Sequence, residues 1–152
     1  MNELCRNIYK SARIRAGLKR EPAAEELAID VRTLDKYEAM DARPPEDVVR
    51  KMCLLYDTRR LGYLHVKSSP LGDCLPELPD TGIQGATLAM VGCMGDINAV
   101  LNDVVKIASE GNLSAADNPE WAQHKKRLQG LAGAILAMLF AEIDTERLPN
   151  QH

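Results

Sequence analysis

The architecture of the first half of the chain depends on one stretch, Arg20-Glu21-Pro22-Ala23-Ala24-Glu25-Glu26-Leu27-Ala28-Ile29-Asp30-Val31-Arg32-Thr33-Leu34-Asp35-Lys36-Tyr37-Glu38. Pro22 is tolerated in the first turn of a helix, where its missing N–H would have no partner, so it marks a helix that starts near Arg20. Asp30 can cap a second helix, Val31 to Glu38, by accepting a backbone N–H with its carboxylate. The stretch therefore predicts two short helices that meet at a tight turn.

Short helices are also predicted on both sides of this pair. One runs from about Asn2 to Ala16 and ends at Gly17, a residue suited to the positive φ of a helix C-terminus. Two more follow the proline break at 43–45, and Asp57 or Thr58 caps the last of them. Five short helices without a strand pattern predict an all-α unit.

The composition favours the same fold class. Of the 152 residues, 45% are hydrophobic but only 4% aromatic, so the core must consist mainly of aliphatic side chains, which favours helices. No apolar run approaches the length of about 18 residues typical of a membrane span, and we predict a cytoplasmic protein with no membrane contact. The four cysteines are too widely spaced for a metal knuckle or a disulfide framework. We interpret them as reduced thiols, mostly in the core.

Proline, glycine and charge divide the chain. Residues 68–80 contain three prolines and a glycine without helical or strand period, which predicts a linker between a unit at 1–67 and a unit at 81–142. Residues 143–152 are predicted to form a flexible tail. Residues 1–67 hold 14 Lys or Arg and 11 Asp or Glu, a net of +3, whereas 68–152 hold 5 and 11, a net of −6. Such asymmetry suggests separate roles for the two halves.

The second half has the pattern of two long helices, from about Ile83 to Ala108 and from Pro119 to about Glu142. Each carries a stripe of apolar residues at helical spacing. An antiparallel hairpin of two such helices has too small a core to be stable alone, so we predict that a second copy covers it. The predicted dimer interface consists of Leu101, Val104, Leu128, Leu131, Ile135 and Met138. The sequence leaves open whether the hairpins pair as a four-helix bundle or fold back onto the first unit.

The helix pair at 20–38 resembles the DNA-binding motif of the lambda repressor and Cro-like (XRE-type) helix-turn-helix family. The resemblance covers about residues 5–66 and rests most clearly on Arg13, Gly17, Leu18, Ala24 and Glu38. It implies a five-helix, lambda-repressor-like DNA-binding domain, here followed by the C-terminal helical hairpin. The whole chain also resembles small regulators of bacterial and prophage genomes, which are usually dimers.

The resemblance implies five DNA-binding residues, namely Arg20, Val31, Arg32, Thr33 and Lys36. Val31, Arg32 and Lys36 lie where the family reads base edges in the major groove of double-stranded DNA. Arg20 and Thr33 lie where it contacts phosphates or neighbouring bases. Among these residues, Arg32 is the first candidate for a bidentate contact with guanine.

Other positions in the motif are structural. The resemblance implies that Arg13 and Glu38 form an internal ion pair. Ala24 is small where the two helices cross closely, and Leu27 and Leu34 can fill the space between them.

Four residues would affect the stability of the motif or its affinity for DNA. The family often has glycine at the positions of Ala28 and Met40, and each missing glycine costs up to ~1 kcal/mol if positive φ persists there. Asp30 and Asp35 bring negative charge near the phosphates, which predicts a modest nonspecific affinity for DNA.

The sequence contains no catalytic constellation, so we predict that the chain is not an enzyme. His65 is interpreted as a helix-surface or interface residue, and His124 as part of a solvated basic cluster with residues 125–127. The loop at 109–117 lacks the alternating acidic residues and the closing Glu of a calcium site. No metal or cofactor is therefore predicted.

These observations predict a sequence-specific transcription regulator of phage or prophage type that binds an inverted-repeat operator as a dimer. One alternative is a helix-turn-helix module whose main partner is another protein, contacted through the acidic C-terminal half. The other is an antitoxin, which would bind a toxin as well as DNA. The dependence of affinity on salt concentration distinguishes DNA binding from the first alternative. Phosphate contacts release counterions, so DNA binding weakens as the salt concentration rises.

Overall fold

The computed structural model describes residues 7–95, 97–109 and 119–141. Every regular element in this part of the chain is helical, which confirms the predicted all-α fold class. The chain divides into two compact units, Met1–Leu75 and Pro76–His152.

The first unit contains the helices α1 (Ile8–Arg15), α2 (Arg20–Glu26), α3 (Val31–Glu38), α4 (Glu46–Leu55) and α5 (Arg60–Lys67). The predicted start of α1 near Asn2 is wrong, because the Asn7 side chain accepts a hydrogen bond from the Lys10 backbone N–H (2.9 Å) and caps the helix there. Residues 2–6 lie outside the described residues.

Local chemistry sets the ends of α1, α2 and α3 as the sequence predicts. Gly17 has a φ of 70° just after α1. Pro22 lies in the first turn of α2. The Asp30 carboxylate accepts a hydrogen bond from the Arg32 backbone N–H (2.8 Å) and caps α3. Short helices therefore follow one another without long loops.

Asp57 ends α4 instead of capping α5. Its φ of 48° is left-handed, and the backbone N–H of Thr58 closes the turn by donating to the Cys53 carbonyl (3.0 Å). α5 begins only after Arg59, with no side-chain cap. Asp is among the few residues other than glycine that tolerate this left-handed conformation, and its short polar side chain can also cap a helix. The residue type alone therefore does not show whether Asp57 ends α4 or caps α5.

The core of the first unit is one cluster to which all five helices contribute. Its buried members are Tyr9, Ala12, Ala23, Ala24, Leu27, Leu34, Val48, Val49, Met52, Tyr56 and Leu61. α3 packs against α2 and α1, so these two helices fix its position in the unit.

The first part of the predicted linker is folded. A short 3-10 helix, Gly72–Cys74, follows α5, and Lys67 Nζ donates to the carbonyls of Gly72 (3.0 Å) and Leu75 (2.8 Å). A Cβ on Gly72 would lie 1.7 Å from the Lys67 carbonyl oxygen, so only glycine fits. Close packing between two backbone segments produces no periodic pattern of residue types, so the sequence did not predict this short helix.

The second unit contains α6 (Ile83–Gly95), α7 (Ile97–Ser109) and α8 (Pro119–Leu139). The predicted single helix from Ile83 to Ala108 is thus wrong. α6 and α7 are separate helices inclined by 50°. α6 ends at Gly95, a residue type with a low helix propensity. Of the predicted loop at 109–118, Ser109 is the last residue of α7 and the rest lies outside the described residues, as does the predicted tail at 143–152.

No single helix in the described ranges is both long enough and apolar enough to cross a membrane. The bent pair α6 and α7 passes the same test together, by length and composition only.

Of the three cysteines that the structure describes, Cys53 packs against the core cluster, so the prediction that the cysteines lie mostly in the core holds only in part. Cys53 and Cys93 are half-buried, and Cys74 is exposed. All three are free thiols.

Candidate nucleic-acid interface

The candidate interface is the outer surface of α3, which is held in place by α2. Ala23 and Ala24 are fully buried in α2, and their small size allows close approach of the two helices. Leu27 and Leu34 are also buried and belong to the same core cluster, as predicted. α3 therefore has one face anchored in the core.

A buried ion pair ties the end of α3 to α1. Arg13 Nε donates to Glu38 Oε1 (2.6 Å), and Arg13 Nη2 donates to Glu38 Oε2 (2.7 Å). Arg13 Nη1 also donates to the Leu18 carbonyl (2.8 Å), and the hydrogen bond to Glu38 raises the pKa of Arg13. The predicted Arg13–Glu38 pair is confirmed. Because both charged groups are buried, removal of either one would leave the other buried without a counter-charge.

The remaining side chains of α3 lie partly against the core and partly toward solvent, and Val31 and Tyr37 pack against the core cluster. Leu34 and Glu38 are buried one turn apart, whereas Arg32 and Lys36, also one turn apart, are exposed. Thr33 is half-buried beside them, and Val31 is half-buried on the inner side of the helix. Arg32, Thr33 and Lys36 thus share an accessible surface with two positive charges, whereas the fourth predicted contact residue on α3, Val31, lies at its inner edge.

The fifth predicted contact residue, Arg20, is joined to this surface by an ion pair that the sequence did not indicate. Arg20 Nη1 donates to Asp35 Oδ1 (3.0 Å), and about half of each side chain is exposed. The residues are 15 positions apart, so no helical spacing signals the contact. An exposed pair of this kind contributes little to stability, but it partly neutralises Arg20.

Both acidic residues near the surface therefore have defined roles. Asp30 caps α3 and Asp35 engages Arg20. The positive surface of α3 is accordingly weaker than its basic residues alone suggest.

The backbone beside the interface has two left-handed residues where the family favours glycine. Ala28, in the turn between α2 and α3, has a φ of 56°, and Met40, just after α3, has a φ of 63°. Positive φ does persist at both departures from the family pattern, so each residue is strained.

His65 is buried, so its interpretation as a surface or interface residue is wrong. Arg43 Nη2 donates to His65 Nε2 (3.1 Å), which leaves the proton on Nδ1 to be donated to the Tyr9 hydroxyl oxygen (2.8 Å). Burial, and then the Arg43 charge, lower the pKa of His65. The residue connects α1 to α5 within the first unit.

His124 is likewise buried, whereas the rest of its predicted cluster, 125–127, is exposed. Its Nε2 lies 3.4 Å from Asp103 Oδ2 on α7, and its Nδ1 has no hydrogen-bond partner among the described residues. Nowhere in the described ranges do three His, Cys, Asp or Glu side chains form a group that could hold a metal ion.

The predicted dimer-interface residues differ in exposure. Leu101 and Ile135 are 48% and 41% exposed, respectively. The other four are half-buried within the second unit, namely Val104, Leu128, Leu131 and Met138. In α8 the fully buried line consists of the small residues Gly133, Ala134 and Ala137. The larger side chains thus lie at the edges of the helix contacts.

No family model matches the sequence, and neither the curated proteins nor the solved structures include a match to the chain.

Proposed function

We propose that the chain is a sequence-specific DNA-binding transcription regulator of the lambda repressor and Cro-like (XRE) helix-turn-helix type. In this proposal α2 and α3 form the helix-turn-helix and α3 enters the major groove. The chain acts as a dimer on an inverted repeat whose half-sites lie about one helical turn, ~34 Å, apart. The second unit joins the two copies.

The observation that best supports this function is the difference between the buried side and the exposed side of α3. Its inner side is fastened by Leu34 and by the buried Glu38, and its outer side presents Arg32 and Lys36 to solvent. A rigid helix with exposed donors is what base recognition in the major groove requires.

The proposed roles follow from the chemistry of the five side chains. Arg32 can donate two hydrogen bonds to guanine, Lys36 can donate to an acceptor on a neighbouring base, and Val31 can contact a thymine methyl group. Arg20 and Thr33 would contact phosphates and set the orientation of the helix.

Selection of bound duplexes from a random library, with the purified protein at low and physiological salt, tests this function. We expect enrichment of an inverted repeat. The logarithm of the affinity should fall with the logarithm of the salt concentration by about 0.9 per phosphate neutralised. A folded protein that enriches no sequence at either salt would exclude the function.

A protein-interaction role is the second candidate, and the exposed apolar residues of the second unit favour it. Leu88, Val91 and Leu139 are each more than half exposed, which is unusual for a surface that contacts only water. A partner bound through such residues would respond little to salt, so the same titration separates the two candidates.

A further inference from the structure

One carboxylate lies on the exposed side of α3, among the residues proposed to read bases. Asp35 follows Arg32 by three positions and directly precedes Lys36, and its side chain is 44% exposed. Residues three positions apart lie on the same side of a helix, so Asp35 and Arg32 face the same way. A helix that presents Arg32 to the major groove therefore presents a negative group beside it.

The orientation of this carboxylate is set from the neighbouring helix. Arg20, the first residue of α2, donates a hydrogen bond from Nη1 to Asp35 Oδ1 (3.0 Å). Asp35 Oδ2 has no hydrogen-bond partner in the part of the chain that the structure describes, and neither Arg32 nor Lys36 pairs with it there. One oxygen is thus held by Arg20, and the other is open to an external donor.

The ion pair lowers the cost of placing a carboxylate near DNA. Phosphates repel an isolated negative charge, but Arg20 and Asp35 together carry no net charge. Because Arg20 holds one oxygen, the direction in which the second oxygen accepts a hydrogen bond is also restricted. An acceptor that is oriented in advance loses little side-chain freedom on binding, which favours a specific contact.

The chemistry of a carboxylate restricts the bases that it can contact. A carboxylate only accepts hydrogen bonds, and in the major groove only the amino groups of cytosine and adenine donate them. Guanine presents two acceptors there, and thymine presents an acceptor and a methyl group, so a carboxylate disfavours both. Adenine places the acceptor N7 beside its amino group, whereas cytosine presents the donor alone. Cytosine is therefore the base that suits Asp35 best.

We infer that Asp35 is a specificity-determining residue whose Oδ2 accepts a hydrogen bond from the amino group of a cytosine. Arg20 is the positioning residue for Asp35, and its Nε and Nη2 are left for the proposed phosphate contact. This inference rests on the proposed function and adds to it a residue outside the five that the family resemblance implies.

Selection from a random duplex library with Asp35→Asn tests the inference, with Glu25→Gln on α2 as the matched control. We expect wild type and Glu25→Gln to select cytosine at one position in each half-site. Asparagine presents a donor and an acceptor, the pattern that adenine matches, so Asp35→Asn should select adenine there and leave the other positions unchanged. The ratio of the affinities for the cytosine and adenine duplexes should change about 10-fold.

A change in the DNA gives a second reading that does not depend on the fold of a variant. We expect wild type to bind about 10-fold more weakly when 2-pyrimidinone, which lacks the amino group, replaces that cytosine. Asp35→Ala should bind both duplexes equally. Arg20→Met should weaken the preference for cytosine, whereas loss of a phosphate contact alone would weaken binding to all sequences alike. Far-UV circular dichroism checks the fold of each variant.

Three results would overturn the inference. The first is a selected site with no specified cytosine, the second is an Asp35→Asn protein that selects the wild-type sequence, and the third is a wild-type affinity that 2-pyrimidinone leaves unchanged. In each case an enriched inverted repeat would still support the proposed function. A folded wild-type protein that enriches no sequence would instead exclude that function, and the inference with it.

Discussion

Ala28 and Met40 are L-residues held in a conformation that suits glycine, with φ of 56° and 63°. We expect Ala28→Gly and Met40→Gly each to raise the free energy of unfolding by up to about 1 kcal/mol, because glycine removes the steric strain of positive φ. Ala39→Gly is the control, since Ala39 is exposed beside Met40 but has a φ of −80°. Urea unfolding measures all three. Equal losses of stability in the three variants would contradict the assignment of strain.

Asp35 restrains Arg20 at the proposed DNA surface. We expect Asp35→Asn to strengthen binding to random duplex DNA and to make the dependence on log salt steeper by about one phosphate contact, because Arg20 is released and a negative charge is removed. Glu25→Gln, an exposed change on α2, controls for net charge. If both variants gain the same affinity, the Arg20–Asp35 pair has no particular role.

His65 should make the first unit sensitive to acid. Its pKa is lowered in the folded state by burial and by Arg43, while Glu46 on α4 acts in the opposite direction and Tyr9 packs from α1. The folded state therefore binds fewer protons than the unfolded state, and stability is lost as the pH falls below the ordinary histidine pKa of about 6.5.

Urea titrations between pH 8 and pH 5 measure this loss. We expect His65→Asn to be less stable than wild type at pH 8 and to lose less further stability on acidification. An unchanged pH dependence in the variant would assign the acid sensitivity to other groups.

At the scale of elements, the sequence predicts best where a local cap or turn defines a boundary. α2 and α3 agree with prediction because Pro22 and Asp30 act within one turn of their own helix. α6 and α7 were predicted as one helix because their apolar spacing continues across the break. From the sequence, Asp57 could end α4 or cap α5. Its positive φ in the structure shows that it ends α4.

The 3-10 helix after α5 gives a prediction at this scale. Gly72→Ala should lower the free energy of unfolding by about 1 to 3 kcal/mol, because its Cβ would collide with the Lys67 carbonyl. Gly82→Ala is the control, since nothing lies within 4 Å of a Cβ there. Similar stability of both variants in urea would show that residues 72–74 are not packed against α5.

At the scale of the molecule, the sequence predicted the all-α class and a candidate site but not the contacts that shape that site. Exposure of Arg32 and Lys36 follows from the helical period of α3. The Arg20–Asp35 pair and the burial of His65 depend on packing between distant segments, which periodicity does not encode. Arg13 and Glu38 are also far apart in the sequence, and their ion pair was predicted only because the family resemblance implies it.

If α3 reads bases as proposed, Arg32→Ala should change the sequence that the protein selects from a random duplex library. Arg50→Ala, an exposed arginine on α4, is the matched control. We predict that Arg32→Ala relaxes the preference at one base position in each half-site, at a cost of about 1 to 3 kcal/mol, while Arg50→Ala selects the wild-type sequence. An Arg32→Ala protein that selects the wild-type sequence with unchanged affinity would show that Arg32 does not read a base.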